Sequence, residues 1–171
     1  MDDFHKRYLD FCKPFLESIK EVYSQMCQVD ISYSKPMIKE GKKSYGDYSS
    51  IVGLNGVCNL DDSKRKFKGC MVLSWTEESY LKSASAILME ECSEYNDEIS
   101  DVGMEICNIT MGNAKKILSE IGYQVEMSIP TSVVGKNHEL GAQNKAVTIR
   151  TPLDSEFGTF YIELSYADDE R

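Results

Sequence analysis

The sequence is poor in positive charge. It contains 19 lysines and arginines against 28 aspartates and glutamates, which gives a formal net charge of −9. A protein that binds the phosphate backbone of nucleic acid needs a basic surface, and so does one that adheres to an anionic membrane. We therefore expect neither nucleic acid nor a membrane surface among the partners of this chain.

Long apolar runs and ordered cysteine pairs are also missing. No segment approaches the roughly 18 consecutive apolar residues of a membrane span, and the first stretch, "MDDFHKRYLDFCKPF", is too charged for a signal peptide. The cysteines show no CxxC pair, which is typical of free, buried thiols in a reducing cytosol. The sequence thus predicts a cytoplasmic protein. The six cysteines are Cys12, Cys27, Cys58, Cys70, Cys92 and Cys107.

Residues for metal and nucleotide chemistry are scarce. The only histidines, His5 and His138, lie far apart in sequence, so neither a zinc site nor a histidine-activated nucleophile is expected. The phosphate-binding patterns GxxxxGK[ST] and GxGxxG are absent. We therefore expect no metal and no cofactor to be bound by this chain.

What the sequence does contain is enough apolar material for one folded domain, 1–171. Apolar residues make up 42% and charged residues 27% of the chain, which is typical of a globular protein. Hydrophobic spacings of three and four predict a helix in 2–28, which either begins at Pro14 or is kinked there. Two more helices are predicted, at about 77–91 after the N-cap Thr76 and from Asn96 or Asp97 to Gly122. Alternating apolar residues predict strands at 29–34, 50–60, 67–75, 123–130, 146–151 and 158–167.

The order of these elements indicates an α+β fold made of two αβββ units with a helix between them. The segments "QVDISY" and "QVEMSI" echo each other at the start of the two strand groups. Short connections favour antiparallel pairing. We predict two layers: a roughly six-stranded, mainly antiparallel sheet with three helices on one face.

The third predicted helix carries an unusual polar stripe within "DVGMEICNITMGNAKKIL", residues 101–118. At about 100° per residue, Asp101, Glu105, Asn108 and Gly112 fall within an arc of roughly 60°. Such a stripe can be the ordinary solvated face of a helix. Asparagine, however, is unfavourable at interior positions of a helix. A mid-helix glycine costs up to about 1 kcal/mol and usually has a packing or functional reason. The stripe therefore marks a candidate site, where Gly112 would let a partner approach closely.

At these residues the sequence resembles the CheC/CheX/FliY family of chemotaxis phosphatases. The family signature is an aspartate or serine, three residues, a glutamate, two residues, an asparagine, and a proline some twenty residues later. Asp101, Glu105, Asn108 and Pro130 occupy these positions, and "NITMGNA" is especially similar to CheX. The resemblance covers nearly the whole chain, including the segments "PFLESIKEV", "VGLNG" and "GCMVLSW".

The resemblance implies a phosphatase that dephosphorylates the aspartyl phosphate of a CheY-type response regulator. In the family, the asparagine orients the attacking water, the glutamate pairs with the regulator's lysine, and the Mg²⁺ ion belongs to the regulator. We therefore expect Glu105 and Asn108 to act in catalysis and Asp101 and Gly112 to contact the regulator. The alternative is a non-catalytic CheX-like module that binds a regulator or a flagellar-switch component.

Two further expectations follow from the resemblance. CheC-type members carry the motif on two pseudo-symmetric helices, whereas CheX-type members carry it on one. The sequence echo places Leu9 and Cys12 opposite Glu105 and Asn108, so the chain has one motif and resembles the CheX type. Because CheX-type proteins dimerise through their sheets, a homodimer is expected.

Overall fold

The computed structural model describes residues 3–60, 62–141 and 146–169. Within these residues the chain forms three helices and one antiparallel sheet of eight strands. The helices are α1 (Asp3–Cys27), α2 (Glu77–Leu88) and α3 (Asp97–Glu120). The strands are β1 (Ser32–Tyr33), β2 (Met37–Ile38), β3 (Tyr48–Leu60), β4 (Ser63–Trp75), β5 (Tyr123–Met127), β6 (Thr131–Val134), β7 (Val147–Ser155) and β8 (Gly158–Asp168).

The sheet has an approximate internal symmetry. Its order is β1-β7-β8-β4-β3-β5, with β2 also on β7 and β6 also on β3. The two halves of the chain therefore meet between β4 and β8, and the first strand segments of each half pair with the other half. This arrangement agrees with the predicted αβββ repeat and with the predicted α+β class.

The prediction of about six strands was too low because each outer strand is interrupted. The interruptions fall between β1 and β2 and between β5 and β6, and they contain Pro36 and Pro130. Proline has no N–H to donate to a strand ladder, so it is found at strand breaks and sheet edges. The predicted strands 29–34 and 123–130 are each the first part of such an interrupted strand.

Helix α1 runs without a break through Pro14, so the alternative in which the helix starts at that residue is wrong. The proline lies inside the helix, and the Ser18 hydroxyl donates to its carbonyl at 2.6 Å. Residues on both sides of the proline, Tyr8, Phe11 and Phe15, are buried in one core. Their burial offsets the hydrogen bond that the proline removes.

The helix starts agree with the predicted caps. The Thr76 side chain accepts from the Ser79 N–H at the start of α2, and the Asn96 side chain accepts from the Ile99 N–H at the start of α3. Such caps satisfy backbone N–H groups that have no partner inside the helix. Since Asn96 is the cap, the first residue of α3 is settled at Asp97.

The main core lies between the three helices and one face of the sheet. Trp75 from β4 and Tyr23 from α1 are fully buried there, and the Trp75 indole donates to the Tyr23 hydroxyl at 2.8 Å. None of the helices in the described part of the chain combines the length and apolar character that a membrane-spanning helix requires.

Loop 39–47 and residues 135–141 lie over part of the opposite face of the sheet. Beneath these residues, Lys39 and Arg150 both pair with the carboxylate of Glu163. The Lys39 Nζ lies 2.8 Å from one carboxylate oxygen and the Arg150 Nη2 lies 2.8 Å from the other. Arg150 also donates to the Lys43 carbonyl at 2.8 Å, and its guanidinium lies 3.9 Å from the centre of the Tyr45 ring. Loop 39–47 is thus anchored to the sheet by a buried ion cluster.

All six cysteines are free thiols. Burial raises the pKa of Cys12 to about 12 and that of Cys27 to about 11. Because the thiolate is the reactive form, these two side chains are poor nucleophiles near neutral pH. Their contribution is to packing, in agreement with the sequence.

Candidate functional site

One fixed contact of α3 is with α2. The Tyr80 hydroxyl donates to the Ile99 carbonyl at 2.6 Å and accepts from the Gly103 N–H at 2.9 Å. A Cβ atom at Gly103 would lie 2.7 Å from the Ser50 hydroxyl oxygen and 2.9 Å from the Tyr80 ring. Gly103 therefore permits close packing of α3 against α2 and β3.

The predicted polar stripe lies on the surface of α3. Asp101, Glu105, Asn108 and Gly112 are all exposed, and a Cβ atom at Gly112 would meet nothing within 4 Å. The opposite side of the helix is buried, except that Ile117 is only half-buried. The buried residues of that side include Ile106, Cys107, Thr110, Ala114 and Leu118.

The two central side chains of the stripe have no partner within the described part of the chain. No hydrogen bond or ion pair there engages the Glu105 carboxylate or the Asn108 amide. A carboxylate can accept hydrogen bonds from a cation, and an amide can both donate to and accept from a water molecule. These groups are therefore available to a molecule that docks on the helix.

The stripe forms one wall of an open groove of about 600 Å³. The other wall is the end of β5 and the connection from β5 to β6. The lining residues are Asp101, Met104, Glu105, Asn108, Met127, Ser128, Ile129 and Pro130. The structure thus brings Pro130, the last residue of the sequence pattern, beside the α3 residues. Gly112 is not among the lining residues.

The second wall is held by β3. The Gly53 N–H donates to the Ser128 hydroxyl at 2.8 Å, and the Ser128 N–H donates to the Gly53 carbonyl at 2.9 Å. These bonds bridge the break between β5 and β6 at Pro130 and present Ile129, which is 85% exposed, to solvent.

Sequence reasoning missed Met104, Met127, Ser128 and Ile129 as site residues. Ile129 continues the apolar alternation of its strand, so the pattern alone predicts a buried residue. The available signal was Pro130, because a proline at the end of a strand pattern indicates a break in the strand. The side chain just before such a break can turn outward.

Metal-ligating side chains do not cluster among the described residues. Among residues 3–60, 62–141 and 146–169, no group of three or more histidine, cysteine, aspartate or glutamate side chains could hold a metal ion. His138 lies instead on the covered face of the sheet, where its Nε2 is 2.7 Å from the hydroxyl of the buried Ser49. The groove therefore offers two carboxylates, an amide and an apolar wall.

Several solved structures share this fold. A CheC-like superfamily protein from Shewanella sp. PV-4 is 30% identical, with 92% of this chain and 97% of that chain covered and a TM-score of 0.82. The chemotaxis protein CheX from Vibrio vulnificus is 29% identical, with 92% and 99% covered and a TM-score of 0.80. The CheX–CheY–BeF₃–Mg²⁺ complex from Borrelia burgdorferi matches at 25% identity, with 94% and 98% covered and a TM-score of 0.71.

The family comparison agrees with these structures. No curated protein matches the sequence at a significant level. The family model described as "Chemotaxis phosphatase CheX" matches residues 49–153. This range includes all but the first residue of β3, together with β4, α3 and both walls of the groove. The chain therefore belongs to the CheX family of chemotaxis phosphatases.

Proposed function

We propose that the protein removes the phosphoryl group from the aspartyl phosphate of a CheY-type response regulator. The observation that carries this proposal is the pair Glu105 and Asn108 at an open groove. The two side chains are exposed one turn apart on α3 and have no partner among the described residues. The match to the CheX family model and the likeness to a CheX protein that was crystallised with CheY support it.

In this mechanism the chain contributes position rather than a reactive group. The Asn108 amide enters the regulator's active site and orients the water that attacks the phosphorus. The Glu105 carboxylate pairs with the lysine of the regulator, which fixes how far the amide enters. The Mg²⁺ ion belongs to the regulator. Positioning of this kind can account for catalysis in phosphoryl transfer, where little covalent chemistry is left to the protein.

The experiment that tests the proposal is phosphate release from a panel of phosphorylated response regulators, with and without the protein. Faster release from one regulator supports the phosphatase. We further propose that the protein acts in the cytoplasm, where such regulators operate. Tight binding of a phosphorylated regulator without faster release would instead indicate the binding module.

We expect Glu105→Ala to weaken both regulator binding and turnover. The substitution removes the proposed ion pair at the interface, and a charge pair of this kind contributes enough to change affinity by about tenfold. Since salt screens such pairs, the loss should be greater in low salt. Titration of the phosphorylated regulator at two salt concentrations measures it.

Glu120→Ala is the matched control for Glu105→Ala, because Glu120 is also exposed on α3 but does not line the groove. It should leave binding and turnover unchanged. Equal effects of the two substitutions would indicate that only the net charge of the chain matters.

We also propose that the protein is a homodimer assembled through strands. The support is the family resemblance together with an outer strand pair, β1 and β2, that has Tyr33, Met37 and Ile38 exposed. Unpaired edge strands present free backbone groups to another chain. Light scattering should show a dimer at tens of micromolar, and Ile38→Glu should shift it toward monomer. A monomer of the unaltered protein at that concentration would contradict this prediction.

A further inference from the structure

The groove has two chemically different walls. One wall, on α3, is acidic and polar, with Asp101, Glu105 and Asn108. The facing wall is apolar, with Met127, Ile129 and Pro130. A partner that fits both walls needs a cation on one side and an apolar patch on the other.

Ile129 is the most exposed apolar side chain of this groove. It is 85% exposed, whereas Met104 and Met127 are half-buried, and Met127 packs against the core. Ile129 is a large apolar side chain exposed to solvent beside candidate catalytic residues. Its burial against a partner would contribute favourable binding free energy. A few well-buried residues often contribute most of the binding energy of an interface.

The backbone around Ile129 is held in place before any partner arrives. Ser128 exchanges two hydrogen bonds with Gly53 of β3, at 2.8 and 2.9 Å. Pro130 restricts Ile129 to extended conformations, and β6 pairs with β3 immediately afterwards. A side chain on such a fixed backbone loses little conformational entropy on binding, which favours affinity.

We propose that Ile129 is an affinity anchor for the regulator: it packs on an apolar patch beside the phosphorylated aspartate while Glu105 pairs with the regulator's lysine. This inference rests on the proposed function. It assigns binding of the regulator to the β5–β6 wall and the reaction itself to Asn108. Loss of the anchor therefore affects KM, whereas loss of Asn108 affects kcat.

The test is steady-state dephosphorylation of a CheY-type regulator that is phosphorylated with a small phosphodonor. Ile129→Ser should raise KM about tenfold with kcat nearly unchanged, as expected when one anchor is removed from an interface. Ile129→Leu should restore most of the affinity because it keeps an apolar side chain of equal size. Met89→Ser, which changes a 92% exposed apolar residue outside the groove, should leave KM unchanged.

Three results would contradict the proposal that Ile129 is an affinity anchor. The first is an unchanged KM in Ile129→Ser. The second is a loss of kcat at constant KM, which would mean that Ile129 positions the reaction instead of binding the regulator. The third is a change in oligomeric state of Ile129→Ser by light scattering, which would assign this surface to a second copy of the chain. Titration of the phosphorylated regulator with the unaltered protein and with Ile129→Ser needs no turnover, so it tests the anchor even if the protein proves non-catalytic. A Kd about tenfold weaker in Ile129→Ser supports the anchor, and an unchanged Kd contradicts it.

Discussion

Asn108→Ala should reduce dephosphorylation of the regulator by about 100-fold or more, since removal of a single group that acts on the transition state typically costs this much. Binding of the regulator should remain close to that of the unaltered protein. The measurement is phosphate release from the phosphorylated regulator under saturating conditions, with circular dichroism to verify the fold.

Asn108→Ala is expected to lower turnover without affecting the fold because of where Asn108 lies. Its side chain is exposed on α3 and has no described partner, so its removal leaves neither a cavity nor an unpaired buried group. Alanine is also a better helix former, by some tenths of a kcal/mol. What is lost is an amide that orients water, an interaction that is useful only in the transition state.

Asn113→Ala provides the matched control, because Asn113 lies on the same helix but away from the groove. It should retain full activity. Undiminished activity in a well-folded Asn108→Ala protein would contradict the mechanism and favour the non-catalytic binding module.

Glu163→Gln should produce the largest loss of stability, about 3–5 kcal/mol, which is typical when one partner of a buried ion pair is removed. The carboxylate is shared by Lys39 and Arg150, and all three side chains are at most 6% exposed. Glutamine has nearly the same shape but no charge, so two buried cations would remain without an anion. Urea unfolding followed by circular dichroism measures the change in the free energy of unfolding.

Two further substitutions separate charge balance from packing. Lys39→Met removes the surplus cation and leaves the Arg150–Glu163 pair intact, so it should cost much less than Glu163→Gln. Glu156→Gln changes an exposed glutamate in the turn between β7 and β8 and should stay within about 0.5 kcal/mol of the unaltered protein. A loss in Lys39→Met as large as that in Glu163→Gln would show that charge imbalance is not the reason.

The local elements could be predicted from the sequence because their causes are local. Thr76 and Asn96 cap their helices through hydrogen bonds that span only three residues, so cap residues are recognisable where they stand. The exposed arc of Asp101, Glu105 and Asn108 follows from the helical period alone. The interrupted outer strands were less accessible, since a proline in a strand pattern does not say whether pairing resumes beyond it.

By itself, then, the sequence determined the class of fold, the helix that carries the site and the residues of its polar stripe, because period and spacing operate within one element. Only the tertiary structure decided what faces that stripe. Ile129 is 21 positions from Asn108, and its exposure depends on Gly53 of a third element, which holds Ser128 across the strand break. The tertiary structure also decided that Lys39, Arg150 and Glu163 meet under one loop. Contacts between residues distant in sequence depend on the order of the strands in the sheet and not on any local preference.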